Sequence, residues 1–371
     1  MKHSDIAIIG SGLIGRLLAL YLQRTGADIT LYDQSDKKAT GSAARAAGGL
    51  LTPYSESLIA EPAIVNMGVT GLTLWPKILS TLDDFTFFQQ QGSLLLNHHQ
   101  DEGDKHRFVR HLQQHWPQSG LSMLDRQQLM ALEPDLAKRF NQALYLPSEG
   151  QIGNRKLLSA LTTQLEREGV NWQLNSQVSE VKPQQFMMNG KRYYANLVID
   201  CRGTGAIGEL PELRAVRGEL FQLLAPEVNI IRPVRLLHPR YNIYIAPKPN
   251  HHYVLGATEI ESNDDGPMTV RSALELLSAA YTVHSGFSEA QILEQVTACR
   301  PALRDNAPAI NYQQGLVQIN GLYRHGFLLA PVVLEHALLA ISRVYSLQGD
   351  FSPSHFFAEL LKDKNNESVL L

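Results

Sequence analysis

The most constraining feature of this chain is a glycine motif near its start. The stretch GSGLIG (10–15) follows the wholly apolar run IAII (6–9), and its glycines have the spacing G-x-G-x-x-G. Apolar residues then recur at helical spacing up to Gly26, and a second run, DITLYD (28–33), ends in an acid. A glycine turn between a buried strand and a helix, with an acid after the next strand, is typical of a dinucleotide-binding βαβ unit.

The next stretch favours a large ligand over a second simple βα unit. ATGSAARAAGGLLTPYSE (39–56) is small, rich in glycine and almost uncharged. Such a stretch lets the backbone approach a ligand closely, whereas an NAD enzyme of this type normally continues into another βα unit. Further on, NLVIDCRGTGA (196–206) has the pattern of another buried strand that ends in a glycine turn, and it returns the chain to the same sheet.

Composition excludes several classes of protein. The net charge of -3, with both signs interspersed, argues against a nucleic-acid partner. Cys201 and Cys299 are the two cysteines in 371 residues, which is not a disulfide framework and favours a reducing cytoplasm.

We expect no segment long and apolar enough to span a membrane. Neighbouring histidines on a strand point to opposite faces, so the pairs 98–99 and 251–252 predict no metal site.

Seven motifs occur in an order that matches a known family. They are IAIIGSGLIG (6–15), ARAAGGLLTPYSE (44–56), LVIDCRGTGA (197–206), VRGELFQL (216–223), YIAPKPNHHYVLGATEIES (244–262), CRPALRDNAPAI (299–310) and GLYRHGFLLAP (321–331). Across nearly its whole length the chain resembles the superfamily of D-amino-acid oxidase, glycine oxidase and sarcosine oxidase, and most closely the glycine oxidases of thiamine biosynthesis. The resemblance implies a flavoprotein that binds FAD without a covalent bond.

The resemblance also implies an α/β fold with two domains. A Rossmann-like FAD-binding domain, built from discontinuous segments, would comprise residues 1–84, 146–214 and 300–371. A smaller substrate domain with a mostly antiparallel sheet would comprise residues 85–145 and 215–299. Members of this superfamily often form tetramers, so an oligomer is compatible with the resemblance.

Cofactor-binding residues follow from the matched motifs. The resemblance places Gly10, Gly12 and Gly15 at the pyrophosphate, Asp33 at the adenosine ribose and the backbone of Val178 at the adenine. The residues expected beside the flavin, its ribityl chain or its pyrimidine end are Ala47, Gly48, Gly49, Leu50, Cys201, Gly203, Leu322, Tyr323, Arg324, His325, Gly326 and Phe327. The resemblance adds Leu13, Ile14, Gln34, Ser42 and Arg45, of which Arg45 could pair with a phosphate or face solvent.

Arg300 and Tyr244 are the candidates for binding a substrate carboxylate. A buried arginine needs a partner, and a carboxylate held by two parallel hydrogen bonds suits it. The resemblance implies that both residues bind the substrate carboxylate. The alternatives are an ion pair between Arg300 and an acid such as Asp305, and, for Tyr244, an ordinary strand aromatic with its hydroxyl at the surface. Tyr241 alternates poorly with Tyr244 and is less suited.

Three further residues keep two interpretations each. Arg324 matches a family arginine beside the flavin, or it anchors its loop. Glu259 stands where some glycine oxidases have an apolar residue, and it could pair with a substrate amine or face solvent. Cys299 lies near the position where sarcosine oxidases attach flavin covalently, but a free, buried cysteine fits the other motifs better.

The function expected from this resemblance is oxidation of glycine or another small amino acid or amine. Hydride would pass to flavin N5 and dioxygen would reoxidise the flavin to give hydrogen peroxide. A second hypothesis is a maturation enzyme that modifies a partner protein, as in tryptophylquinone biogenesis, with little activity on free amino acids. A third, a dehydrogenase that reduces a membrane quinone, lacks the expected membrane-binding patch.

Overall fold

The computed structural model describes residues 4–238 and 243–365. The helices are α1 (Leu13–Gln23), α2 (Ala43–Ala46), α3 (Pro62–Leu79), α4 (Glu102–His115), α5 (Arg126–Leu132), α6 (Asn154–Arg167), α7 (Val270–Val283) and α8 (Gly326–Val344). The strands are β1 (Ser4–Ile9), β2 (Ile29–Tyr32), β3 (Leu50–Leu51), β4 (Phe88–Gln89), β5 (Ser93–Asn97), β6 (Ser122–Asp125), β7 (Gln142–Leu146), β8 (Gly150–Ile152), β9 (Asn171–Gln173), β10 (Val178–Lys182), β11 (Gln185–Met188), β12 (Lys191–Asp200), β13 (Arg214–Leu224), β14 (Val234–Leu237), β15 (Ile243–Lys248), β16 (His252–Gly256), β17 (Ile260–Glu261), β18 (Gln291–Ala302), β19 (Ala309–Gln313), β20 (Leu316–Asn320) and β21 (Leu361–Asp363).

The glycine motif opens a nine-stranded mixed sheet. The strand order is β21-β19-β20-β12-β1-β2-β9, and β10 and β11 extend it as a hairpin on β12. Strand β1 runs parallel to both β2 and β12. Its residues alternate between two cores: Ile6 and Ile8 pack among helices α1, α3, α6 and α8, whereas Ala7 and Ile9 pack on the hairpin side. Both faces are covered, which explains why the strand is apolar throughout.

The second nine-stranded sheet is mostly antiparallel. Its order is β17-β13-β16-β15-β14-β5-β7-β6, with β18 paired to β13. Helices α5 and α7 contribute Leu129, Leu276, Ala280 and Val283 to the core beneath it. Together with the first sheet, this arrangement confirms the predicted α/β fold class. A small sheet of β3, β8 and β4 adds a third element.

The predicted domain limits remain a prediction, but the strands show how the chain divides between the sheets. The first sheet takes strands from within residues 4–32, 171–200 and 309–363, and the second from within 93–146 and 214–302. Strand β18 runs without a break through the predicted limit between residues 299 and 300.

The expectation that no segment is long and apolar enough to span a membrane was wrong. Residues 323–344 are long and apolar enough, but 72% of the segment is buried inside the fold. Helix α8 packs against α3, and the indole Nε1 of Trp75 donates to the Phe327 carbonyl at 2.9 Å. Its apolar surface therefore serves the core of the protein.

Candidate active site and cofactor cavity

A large cavity lies between the two sheets and gathers most of the predicted site residues. Its wall includes Gly10, Gly12, Leu13, Ile14, Asp33, Gln34, Ser42, Ala47, Gly48, Gly49, Leu50, Val178, Cys201, Gly203, Tyr244, Glu259, Arg300, Leu322, Tyr323, Arg324, His325, Gly326 and Phe327. Gly15 and Arg45 do not line it. Tyr241 lies outside the described residues.

The glycine loop is shaped by close backbone contacts. Gly10 has φ +100°, and a β-carbon on it would lie 2.4 Å from the Cys201 carbonyl oxygen. A β-carbon on Gly15 would lie 1.9 Å from the Gly10 carbonyl oxygen. Gly15 therefore holds helix α1 close to the loop and does not face the cavity, which corrects its predicted place at the pyrophosphate.

Two helices begin at the cavity wall without a capping side chain. Helix α1 starts after Gly12 and helix α8 after His325, and neither has an acid in its first turn. The first amides of a helix have no partner within it and carry partial positive charge. Both ends therefore suit anionic groups of a large ligand, such as a pyrophosphate or an electron-rich ring.

Asp33 lies at the end of β2 beside the glycine loop. Its Oδ2 accepts hydrogen bonds from the Ser11 amide at 2.5 Å and the Ser11 hydroxyl at 2.9 Å, and its Oδ1 accepts from the Ser35 amide at 2.7 Å. These bonds orient the carboxylate at the cavity wall, where an acceptor for ribose hydroxyls is expected in this type of unit.

The run Gly48-Gly49-Leu50 passes close to the second sheet and to the small sheet. A β-carbon on Gly48 would lie 2.7 Å from the Tyr244 ring. Gly49 has φ +69°, and a β-carbon there would lie 2.2 Å from the Ile152 carbonyl oxygen. The two glycines thus let this part of the cavity wall pack directly against Tyr244 and the backbone of β8.

Arg300 enters the cavity from β18 with an unsatisfied guanidinium. Its Nη2 donates to the Thr258 carbonyl at 3.1 Å and lies against Gly218, where a β-carbon would be 2.2 Å away. Its buried Nη1 has no hydrogen-bond partner among the described residues. Burial lowers the pKa of Arg300. The alternative of an ion pair with Asp305 is wrong for the described structure, because Asp305 accepts from the Ala307 amide and forms no ion pair with Arg300.

Tyr244 stands next to Arg300 on the cavity wall. Its ring and hydroxyl lie between Gly48 and Gly256, within 3.0 Å of the β-carbon that either glycine lacks. Burial raises the pKa of the Tyr244 phenol, so the hydroxyl stays protonated and can donate a hydrogen bond. Its position in the wall does not match the alternative of a surface aromatic.

Arg324 and Glu259 belong to a chain of ion pairs. Arg324 Nη1 lies 2.8 Å from Glu259 Oε2, and Arg324 Nη2 lies 2.6 Å from Glu56 Oε2. Glu56 Oε1 in turn lies 2.8 Å from Arg235 Nη1. Although burial disfavours charge on Glu56, Arg235 and Arg324 outweigh it and lower the pKa of Glu56 to about 2. Arg324 is thus anchored by ion pairs while it lines the cavity.

Glu259 is held on its other oxygen by a tyrosine. The Tyr323 hydroxyl donates to Glu259 Oε1 at 2.5 Å. The Glu259 side chain remains 43% exposed, so it is both ion-paired and open to the cavity. Neither a free carboxylate awaiting an amine nor a purely solvent-facing one, as expected from the sequence, describes this arrangement.

Cys299 and Arg45 both point to neighbouring backbone. The Cys299 thiol lies 3.7 Å from the carbonyl oxygens of Ser262 and Asp264. This contact is typical of a free thiol, and Cys299 is free in the structure. Arg45 Nη1 lies 3.5 Å from the Lys38 carbonyl and Arg45 does not line the cavity, so the structure fits the solvent-facing one of its two interpretations. Among residues 4–238 and 243–365, no group of three or more His, Cys, Asp and Glu could hold a metal.

The sequence analysis missed four residues of the site. Glu56 and Thr258 stood inside quoted motifs, and an acid that closes an almost uncharged stretch was a usable signal for Glu56. Gly218 leaves the space that Arg300 occupies, and Arg235 neutralises Glu56. Gly218 also stood inside a quoted motif, but no sequence signal marked its role or Arg235, because both matter through contacts with residues distant in the chain.

Comparisons with known proteins agree with this geometry. Residues 5–336 match the family described as DAO, FAD dependent oxidoreductase. The chain is 38% identical over 328 residues to a putative thiamine biosynthesis oxidoreductase ThiO of Rhizobium etli, covering 88% of this chain and 93% of the relative.

Solved structures share the fold. Glycine oxidase from Geobacillus kaustophilus superimposes with a TM-score of 0.80 at 21% identity, covering 96% of this chain and 100% of that one. Iminodiacetate oxidase from a Chelativorans species superimposes with a TM-score of 0.78 at 21% identity, covering 94% and 98%. The family match, the related sequence and a cavity with two open helix N-termini lead to one conclusion: this chain is an enzyme of the DAO family of FAD-dependent oxidoreductases.

Proposed function

We propose that this enzyme oxidises the C–N bond of glycine or another small amino acid or amine, with dioxygen as the electron acceptor. The observation that carries the proposal is the buried Nη1 of Arg300, which lacks a partner among the described residues and lies in the cavity beside Tyr244. A buried guanidinium with a free donor suits a ligand carboxylate. The related ThiO and glycine oxidase sequences support an amino acid as that ligand.

In this proposal the protein mainly positions the substrate. Arg300 and the Tyr244 hydroxyl donate to the substrate carboxylate, and this grip sets the direction of the Cα–H bond. When bound, FAD would supply the two-electron acceptor for the α-hydrogen, which leaves as a hydride to N5, and would pass the electrons to dioxygen to give hydrogen peroxide. Water then hydrolyses the released imine to an α-keto acid and ammonia.

Arg324 has a supporting role in this proposal. Its two ion pairs, with Glu56 and Glu259, balance the positive charge of its guanidinium. It therefore holds the loop before α8 against the cavity, and the substrate carboxylate binds to the guanidinium that has no carboxylate of its own, Arg300.

The test is reduction of the flavin without oxygen. Glycine, sarcosine and D-alanine are added in turn to the anaerobic holoenzyme while its visible absorption is followed, and at least one should bleach the flavin. Arg300→Met should slow bleaching by about a hundredfold, because the carboxylate loses its charged partner. Arg304→Gln, an exposed arginine four residues along, is the matched control and should match the wild type.

Two results would contradict the proposal. One is a flavin that no free amino acid or amine bleaches, and the search would then turn to a protein-bound substrate. The other is an Arg300→Met variant that retains its FAD and is reduced as fast as the wild type.

A further inference from the structure

Among the described residues, the arginines around the cavity are paired with carboxylates except at one position. Arg324 is paired with Glu56 and Glu259, and Arg235 is paired with Glu56. Arg202, also on the wall, is paired with Asp200 and Glu209. Among the described residues of these clusters, Arg300 is the guanidinium without a carboxylate partner. The cavity therefore has a place for one ligand carboxylate.

Glu259 occupies the position that a second ligand carboxylate would need. It lines the same cavity as Arg300, its side chain is 43% exposed, and both of its oxygens are engaged, by Tyr323 and Arg324. A second carboxylate could reach Arg324 Nη1 only by displacing Glu259 and would meet its negative charge on the way. Placing like charges together in a partly buried site is unfavourable.

We infer that Glu259 sets the charge selectivity of this site: it admits ligands with one carboxylate to Arg300 and rejects ligands with two. Selectivity here comes from a repulsive element, since the attractive element, Arg300, is the same for both ligand classes. The inference rests on the proposed function in one respect, the binding of a ligand carboxylate by Arg300.

The experiment compares acetate with malonate as ligands that cannot be oxidised. Their dissociation constants are measured on the holoenzyme from the perturbation of the flavin absorption band, which requires no turnover. For the wild type we expect malonate to bind at least about tenfold more weakly than acetate. In Glu259→Gln the dissociation constant of malonate, relative to that of acetate, should fall by about tenfold, because Arg324 Nη1 is released from its charged partner.

Two variants separate the charge from the structure around it. Glu261→Gln removes an acid two residues away that pairs with Arg214 at 3.4 Å and does not line the cavity, so the ratio should stay at the wild-type value. Glu259→Asp keeps the negative charge at this position, so the ratio should stay closer to the wild-type value than it does in Glu259→Gln. FAD content is measured for every variant.

The wild type alone provides a second test if Glu259→Gln fails to fold. Because salt screens repulsion between partly exposed charges, the dissociation constants of malonate and acetate should become more similar as ionic strength rises. Malonate that binds the wild type as tightly as acetate would overturn the inference, as would an unchanged ratio in folded Glu259→Gln. Acetate that fails to bind would also overturn it. Selective acetate binding without bleaching by any amino acid would instead refute the proposed function and leave the selectivity intact.

Discussion

The ring of Tyr244 occupies the space above Gly48 that a side chain would take: a β-carbon on Gly48 would lie 2.7 Å from Cε2 of Tyr244. This contact joins the glycine-rich run before β3 to β15 of the second sheet. The absence of a side chain at residue 48 therefore determines where the tyrosine stands relative to Arg300.

Gly48→Ala should displace the Tyr244 ring. We expect flavin reduction by the best substrate to slow by about a hundredfold, because an error of about 1 Å in positioning can cost that much. Stopped-flow absorption under anaerobic conditions measures the rate. Gly103→Ala is the matched control, since a β-carbon on this residue of α4 meets nothing within 4 Å; a Gly48→Ala rate equal to the control rate would contradict the prediction.

Arg16→Met should destabilise the glycine loop. The Arg16 side chain is buried, and it donates to the carbonyls of Ser11 at 2.6 Å, Leu158 at 3.1 Å and Lys37 at 3.0 Å. Methionine fills much of the volume but removes all three hydrogen bonds, so we expect a loss of about 3 kcal/mol in the free energy of unfolding and weaker FAD retention. Urea unfolding and the FAD content after gel filtration are the measurements.

The control for Arg16→Met is Arg24→Met, just past the end of the same helix. Arg24 pairs with Glu168 at the surface and should contribute at most about 1 kcal/mol. Equal losses of unfolding free energy in both variants would show that the buried contacts of Arg16 stabilise the protein no more than the surface ion pair of Arg24 does.

His325 should make the cofactor-free protein sensitive to mild acid. Burial is the main cause that lowers the pKa of His325 to about 4, against 6.5 for an unperturbed histidine. As the pH falls below 6.5, the unfolded chain binds a proton that the folded protein does not, so stability declines until the pH reaches about 4. The full loss is about 3 kcal/mol, and it is absent above pH 6.5.

Denaturant unfolding between pH 7 and pH 4.5 measures this loss. His325→Gln should flatten the decline, whereas His106→Gln, at an exposed position of α4, should leave it unchanged. A decline of the same slope in His325→Gln would assign the acid sensitivity to other groups.

Cys299→Ser should keep its full content of FAD. The thiol contacts the backbone of Ser262 and Asp264, and this contact needs no bond to the flavin. Precipitation of either protein with acid should release free FAD into the supernatant, measured by its absorption. Flavin that stays with the precipitated wild type but is released from Cys299→Ser would demonstrate a covalent bond and contradict the prediction.

Much of the cofactor cavity could be predicted from local signals. The glycine spacing, the acid at residue 33 and the small residues at 47–50 impose backbone conformations or close approaches that few other residues tolerate, and the cavity contains nearly all of them. Gly15 was misplaced because the pattern indicates that a residue lies near the loop, not which way it faces. The length and apolar character of α8 were likewise insufficient to tell a core helix from a membrane span.

The sequence by itself determined the dinucleotide-binding fold class, because this depends on short-range patterns of glycine, apolar and acidic residues, and it determined the family and the cofactor through the resemblance of seven ordered motifs. Which charged side chains of the candidate site are paired with each other was decided by the tertiary structure. Arg324 and Glu259 become partners, and Glu56 and Arg235 join them, through contacts between segments as far apart in the chain as residues 56 and 324. A side chain's electrostatic role depends on which opposite charge lies within a few ångströms of it, and the sequence does not encode that distance locally.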